Sequence, residues 1–136
     1  MAEHKTPSTT VLRLHRIALV LSALAFGAVG WFRAGDGWEQ GPKPDEGPLR
    51  IIVGVAIAIS LVATIVVRSQ LTRIVDPAIR AQRSILAWSA GEAAALAGGA
   101  FYFLRGEPRW FLVGLVMLLA SLVIIPAPYG AQGARG

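Results

Sequence analysis

The stretch SILAWSAGEAAALAGGAFYFL, residues 84–104, decides the architecture, because it is uncharged apart from Glu92 in its middle. A helix needs about 20 residues to cross the hydrocarbon core of a bilayer, so this run is long enough. A charge at the centre of such a helix costs about 3 kcal/mol on insertion scales, which makes an intramembrane acid a candidate site by default. Similar runs lie on both sides of it. With flanking arginines that can snorkel to the surface included, the spans read as residues 12–33, 49–67, 84–104 and 110–126. An outer loop at 34–48 and an Arg-rich loop at 68–83 connect them.

Composition agrees with this partition. Of 136 residues, 54% are hydrophobic and 15% charged, and the mean hydropathy is +0.58. One small soluble core does not bury that much apolar surface. The fold class expected is all-α: an integral membrane four-helix bundle forming a single domain over residues 1–136. The first span follows Arg13 and Arg16 as a signal peptide would, but its apolar run is long and three more spans follow, so an uncleaved anchor is expected. The chain has no cysteine, which excludes disulfides, thiolate metal sites and cysteine nucleophiles.

Charge sets the orientation. Lys5, Arg13 and Arg16 precede the first span, Arg68, Arg73, Arg80 and Arg83 lie between the second and third, and Arg135 lies in the tail. On the other side Arg33, Lys43, Arg50, Arg105 and Arg109 hug helix ends, mixed in the first loop with Asp36, Glu39, Asp45 and Glu46. The positive-inside rule then places both termini and the middle loop in the cytoplasm of a multi-pass inner (plasma) membrane protein. Trp31, Phe32, Tyr102, Phe103, Trp110 and Phe111 fall at the opposite interface, as an aromatic belt would place them. Trp38 in the outer loop reads as a side chain dipping into that interface.

The two halves rhyme at a shift of about 67 residues. Arg13, Arg16, Leu19, Ser22 and Ala23 match Arg80, Arg83, Leu86, Ser89 and Ala90, which suggests two duplicated hairpins. The counterpart of Glu92 is Ala25. In the middle loop Asp76-Pro77 is a helix start that opens a short surface helix leading into the third span. Arg73, Arg80 and Arg83 there are candidates for contact with anionic lipid head groups or a partner.

Small residues four apart allow close helix contact in lipid. The third span has two such tracks, Ala87-Gly91-Ala95-Gly99 and Ala90-Ala94-Gly98, so it is expected at the centre. The fourth, bulky apart from Gly114, is expected to face lipid or another copy. Glu92 shares its side of the helix with Trp88, Ser89, Ala95 and Leu96, and no basic residue of that helix lies near it. An unpaired buried acid is expected to be neutral, because apolar surroundings disfavour the charge. Ser22, Ser60, Thr64 and Ser121 are its possible partners on other helices, with Ser60 and Thr64 preferred, so the site would comprise Glu92, Ser89, Ser60 and Thr64.

Nothing in the chain reads as an enzyme. His4 and His15 do not form a metal or haem pair, and no catalytic triad or phosphate loop is present. No cofactor or metal is expected, and the partners expected are the lipid bilayer, a second copy or a larger membrane complex, without nucleic acid.

Residues Ala90-Gly91-Glu92-Ala93-Ala94-Ala95-Leu96-Ala97-Gly98 follow an Arg-rich connection and resemble the carboxylate-bearing helix of the proton-ring subunit c of rotary ATP synthases. That resemblance implies that Glu92 would carry a proton or cation and that the second and third spans would match the ring hairpin. The first and fourth spans have no counterpart there. The chain as a whole resembles small four-span proteins of bacterial inner membranes, which implies an accessory or structural component, the favoured expectation, with translocation through Glu92 as the alternative.

Overall fold

The local sequence supplies most helix starts and stops. In a computed structural model that describes residues 8–36 and 42–127, the helices are α1 Thr9–Gly35, α2 Glu46–Leu71, α3 Pro77–Arg105 and α4 Arg109–Ile124. No strand occurs among the described residues. Ser8 caps α1 by accepting from the Val11 N–H at 3.3 Å, and Asp45 caps α2 by accepting from Gly47 at 3.2 Å. Asp76 caps α3 by accepting from Ala78 at 2.8 Å, and Pro77, which has no N–H to lose, fills the first turn. α3 ends at Gly106, whose φ of 76° is the left-handed conformation that glycine adopts without strain.

Two boundaries differ from the sequence expectation. The loop expected at 68–83 shrinks to residues 72–76, since α2 continues through Leu71 and α3 begins at Pro77. The short surface helix is therefore the first turns of α3 itself. Trp38 lies outside the described residues.

α3 is the helix around which the others assemble. It packs on α1, α2 and α4, while α1 and α2 do not touch each other. The chain runs up and down, so one end of the bundle, called upper here, holds Gly35, Glu46, Arg105 and Arg109, and the lower end holds Thr9, Leu71 and Pro77. Glu46 ties the upper ends of three helices together. It pairs with Arg50 one turn on, with Arg105 at 3.5 Å and with Arg109 at 3.6 Å, and Arg105 also donates to the Pro44 carbonyl at 2.9 Å.

The closest approach is between α3 and α4. A Cβ added at Gly98 would run into the backbone of Trp110 and Phe111, and one at Gly114 into the backbone of Ala94 and Ala95. One at Gly91 would lie 2.6 Å from Ser121 Oγ and 3.0 Å from Leu118 Cα. These three glycines let two backbones meet as small residues do in lipid. The expectation that α4 faces outward is thus corrected. Its bulky residues divide between two faces: Phe111, Leu118 and Leu122 are buried with Gly114 and Ser121, whereas Leu112, Val116, Leu119 and Val123 are exposed.

The repeat is not reproduced in the packing. α3 and α4 form a tight hairpin, while α1 and α2 are parted by α3. The aromatic belt is also only partial: Trp31 and Phe32 are exposed, but Tyr102 and Phe111 turn inward and stack at 6.3 Å. Gly27 and Gly30 on α1 make room for those two rings.

Polarity is arranged with apolar surface outward. Ser60, Thr64, Ser84 and Ser121 are buried, while Leu21, Ile51, Ile59, Val62 and Val116 are exposed. α1 and α2 are long and apolar enough to cross a bilayer, with best-window mean hydropathies of 1.8 and 2.6, yet only 22% of either window is buried. α3 is long enough but dilute in large apolar residues, and α4 has 16 residues.

Candidate functional site

Glu92 lies midway along α3, partly buried, on the side that faces α1. Its Oε1 is 2.5 Å from Ser22 Oγ of α1, and the same hydroxyl is 3.0 Å from the Leu19 carbonyl one turn below. Ser22 was one of four partners open to it from the sequence. The preferred pair, Ser60 and Thr64, is engaged on another helix: Thr64 Oγ1 donates to the Ser60 carbonyl at 2.8 Å, and the buried Ser60 Oγ has no hydrogen-bond partner. The physical reason is the placement of α2, which packs on α3 without touching α1. Ser89 lies one turn below Glu92 and is partly buried.

The hydrogen count at this site constrains its chemistry. A serine hydroxyl has one proton to donate and can accept in return. If Ser22 donates to Leu19, the carboxyl must bring its own proton and donate to Ser22. If Glu92 is ionised, the Ser22 proton turns to it and the Leu19 carbonyl keeps only its backbone bond. The arrangement therefore accommodates both forms through one rotation of a hydroxyl.

Below Glu92 the site is bounded by a group that sequence reasoning assigned elsewhere. Arg16 reaches into the bundle, donates to the Leu122 carbonyl at 2.7 Å and lies 5.3 Å from the centre of the Trp88 ring. Trp88 in turn donates its indole N–H to the Ile125 carbonyl at 3.0 Å. Both acceptors are end carbonyls of α4, which has no basic residue in its own last turn. The signal was present in the spacing, because Leu12, Arg16, Leu19, Ala23, Gly27 and Gly30 recur at three or four residues and all but Arg16 are fully buried. Arg16 is on the inner stripe of α1.

Above Glu92 the seam between α1 and α3 is apolar. Phe26 packs where a Cβ on Gly99 would sit, and Phe111 and Tyr102 fill the notches at Gly27 and Gly30. Two open clefts, one at Val29, Phe32, Arg33 and Asp36 and the other at Gly106 to Leu112, lie still higher.

The arginines of the middle connection separate. Arg80 turns back to donate to the Ile74 carbonyl at 2.6 Å, whereas Arg73 and Arg83 are exposed. His15 is partly buried, and its Nε2 is enclosed without a hydrogen-bond partner. Among the described residues no group of three or more His, Asp or Glu side chains is placed to hold a metal ion. No family model, curated protein or solved structure matches the chain.

Proposed function

We propose that the protein is a multi-pass component of the cell inner membrane, a four-span accessory or structural bundle in which Ser22 and Glu92 register α1 on α3. The observation that carries this is the outward display of apolar surface. The most apolar windows of α1 and α2 are only 22% buried, although a soluble fold would place such helices in its core. Serines and glycines occupy the helix contacts instead, which suits association in lipid, where close packing and hydrogen bonds replace the hydrophobic drive. α3 crosses surrounded by the other helices. α4, at about 24 Å for 16 residues, is short for a span, but Arg16 and Trp88 satisfy carbonyls at its buried end.

The lower end carries the exposed Arg68, Arg73 and Arg83, whereas Arg50, Arg105 and Arg109 at the upper end pair with Glu46 and Glu107. Positive-inside bias then places the lower end and both termini in the cytoplasm. Alkaline carbonate extraction tests the claim. The protein is expected to stay with the membrane pellet, and its release into the supernatant rules the claim out.

Proton or cation translocation is the second reading. It is favoured by the partly exposed carboxyl of Glu92 and by its partner hydroxyl, which has two acceptors to choose between. Glu92→Gln keeps a group that can hydrogen-bond Ser22 but cannot ionise. Loss of a cation- or proton-dependent activity with unchanged thermal stability would support translocation; a change in stability alone would remove its main support.

A further inference from the structure

The polar groups near Glu92 all lie on one side of it. Ser22 binds the carboxyl directly, and Ser89 lies one turn down α3. His15 precedes Ser22 by seven residues, so it lies on the same face of α1, about 10 Å nearer the lower end. Its Nε2 is enclosed and unpartnered while the ring as a whole is only partly buried, so one edge of the imidazole faces the interior and the ring still reaches the surroundings. An imidazole in that position can take a proton on one nitrogen and release it from the other. Above Glu92, in contrast, Phe26, Tyr102 and Phe111 fill the glycine notches, and α3 carries no polar side chain between Glu92 and the Tyr102 phenol ten residues on, nor α1 between Ser22 and Trp31.

We propose that Glu92 is a proton-binding site with access from the lower end only, through His15 and then Ser89 and Ser22, and that the three aromatic rings close the upper side. At about 2.8 Å per hydrogen bond, a gap of about 10 Å calls for about three intervening groups, for which the Ser89 hydroxyl supplies one and water would supply the others. The step is a plain protonation. A proton added to the carboxylate makes Glu92 the donor to Ser22, whose own proton turns to the Leu19 carbonyl; removing it reverses both bonds. Among the described residues no other ionisable group competes at this depth. Those of α2, Glu46, Arg50 and Arg68, lie toward its ends, and α4 has only Arg109, at its upper start. From α1, Arg16 is the other charged group near this level, and it is engaged on the Leu122 carbonyl and Trp88.

The inference rests on the membrane placement proposed above, and it goes further by giving the Ser22–Glu92 pair, the lock between α1 and α3, a sidedness. In the closed arrangement described, a proton enters and leaves by the same end. Such a bundle senses the pH of the compartment at its lower end and does not carry protons across by itself.

The test uses the full chain in vesicles with a single known orientation. Co-flotation with the vesicles is scored first, since its failure sinks the membrane placement and leaves sidedness without a subject. For protein that floats, the infrared carboxyl band that disappears in Glu92→Gln is followed after a rapid pH jump on one side. The band is expected to respond to a jump at the lower side and to ignore one at the upper side. His15→Leu should slow the lower-side response about tenfold or more, and Phe26→Ala should make the upper side effective. A response to both sides in the native chain, a response to neither, or an unaltered rate in a His15→Leu variant with native helix content overturns the inference.

Discussion

A hydrogen bond between Ser22 and Glu92 joins side chains of α1 and α3, yet its energetic weight is small. Interhelical bonds of this kind in membranes contribute about 0.6 kcal/mol on average and about 1.7 kcal/mol at most. A double-mutant cycle of Ser22→Ala and Glu92→Leu, read by thermal unfolding in detergent, should therefore give a coupling near the lower figure. Zero coupling would remove the lock. Arg16 should matter more, because its loss leaves a carbonyl at the buried end of α4 without its partner. Arg16→Leu is expected to destabilise by about 1–3 kcal/mol, and Trp88→Phe, which keeps an aromatic face but loses the indole N–H, by about 1 kcal/mol. The candidate site was legible to the extent that Glu92 stood out as the one charge in an apolar run. Its partner was not, since the choice between Ser22 and Ser60 depends on which neighbour of α3 takes which side, and neither helix encodes that in its own pattern.

Between elements, glycine placement rather than side-chain bulk determines which helices meet. Gly98 and Gly114 face backbone across the α3–α4 contact, so a methyl group has nowhere to go unless the helices separate. Gly98→Ala and Gly114→Ala should each cost about 1–3 kcal/mol, as overpacking does. Gly54→Ala on the exposed face of α2, where an added Cβ meets nothing within 4 Å, should leave thermal stability unchanged or raise it by up to about 1 kcal/mol. Equal effects at all three positions would refute the close approach. The small-residue tracks of the third span pointed to a central helix, and α3 does touch all the others. The role of α4 was not readable in the same way. One glycine among large side chains looks like a lipid-facing helix until its partner is known to offer Gly91 and Gly98 opposite it.

For the whole molecule, the decisive pattern is that most large apolar residues of α1 and α2 and those on one face of α4 point away from the bundle while Ser60, Ser84 and Ser121 point into it. Composition announced this, because a chain with 54% hydrophobic residues has more such surface than its interior can hold. Helix number and order follow from the same runs and their caps. The uneven packing of the two hairpins does not, because sequence similarity between halves leaves the contacts of each half open. The absence of native cysteine makes topology directly measurable with single introduced thiols. Lys43→Cys, at the upper end, and Thr72→Cys, in the lower connection, are both exposed positions at opposite ends of α2. With a membrane-impermeant maleimide on intact cells, Lys43→Cys is expected to label at once and Thr72→Cys only after permeabilisation. Labelling of both positions from the same side would contradict it.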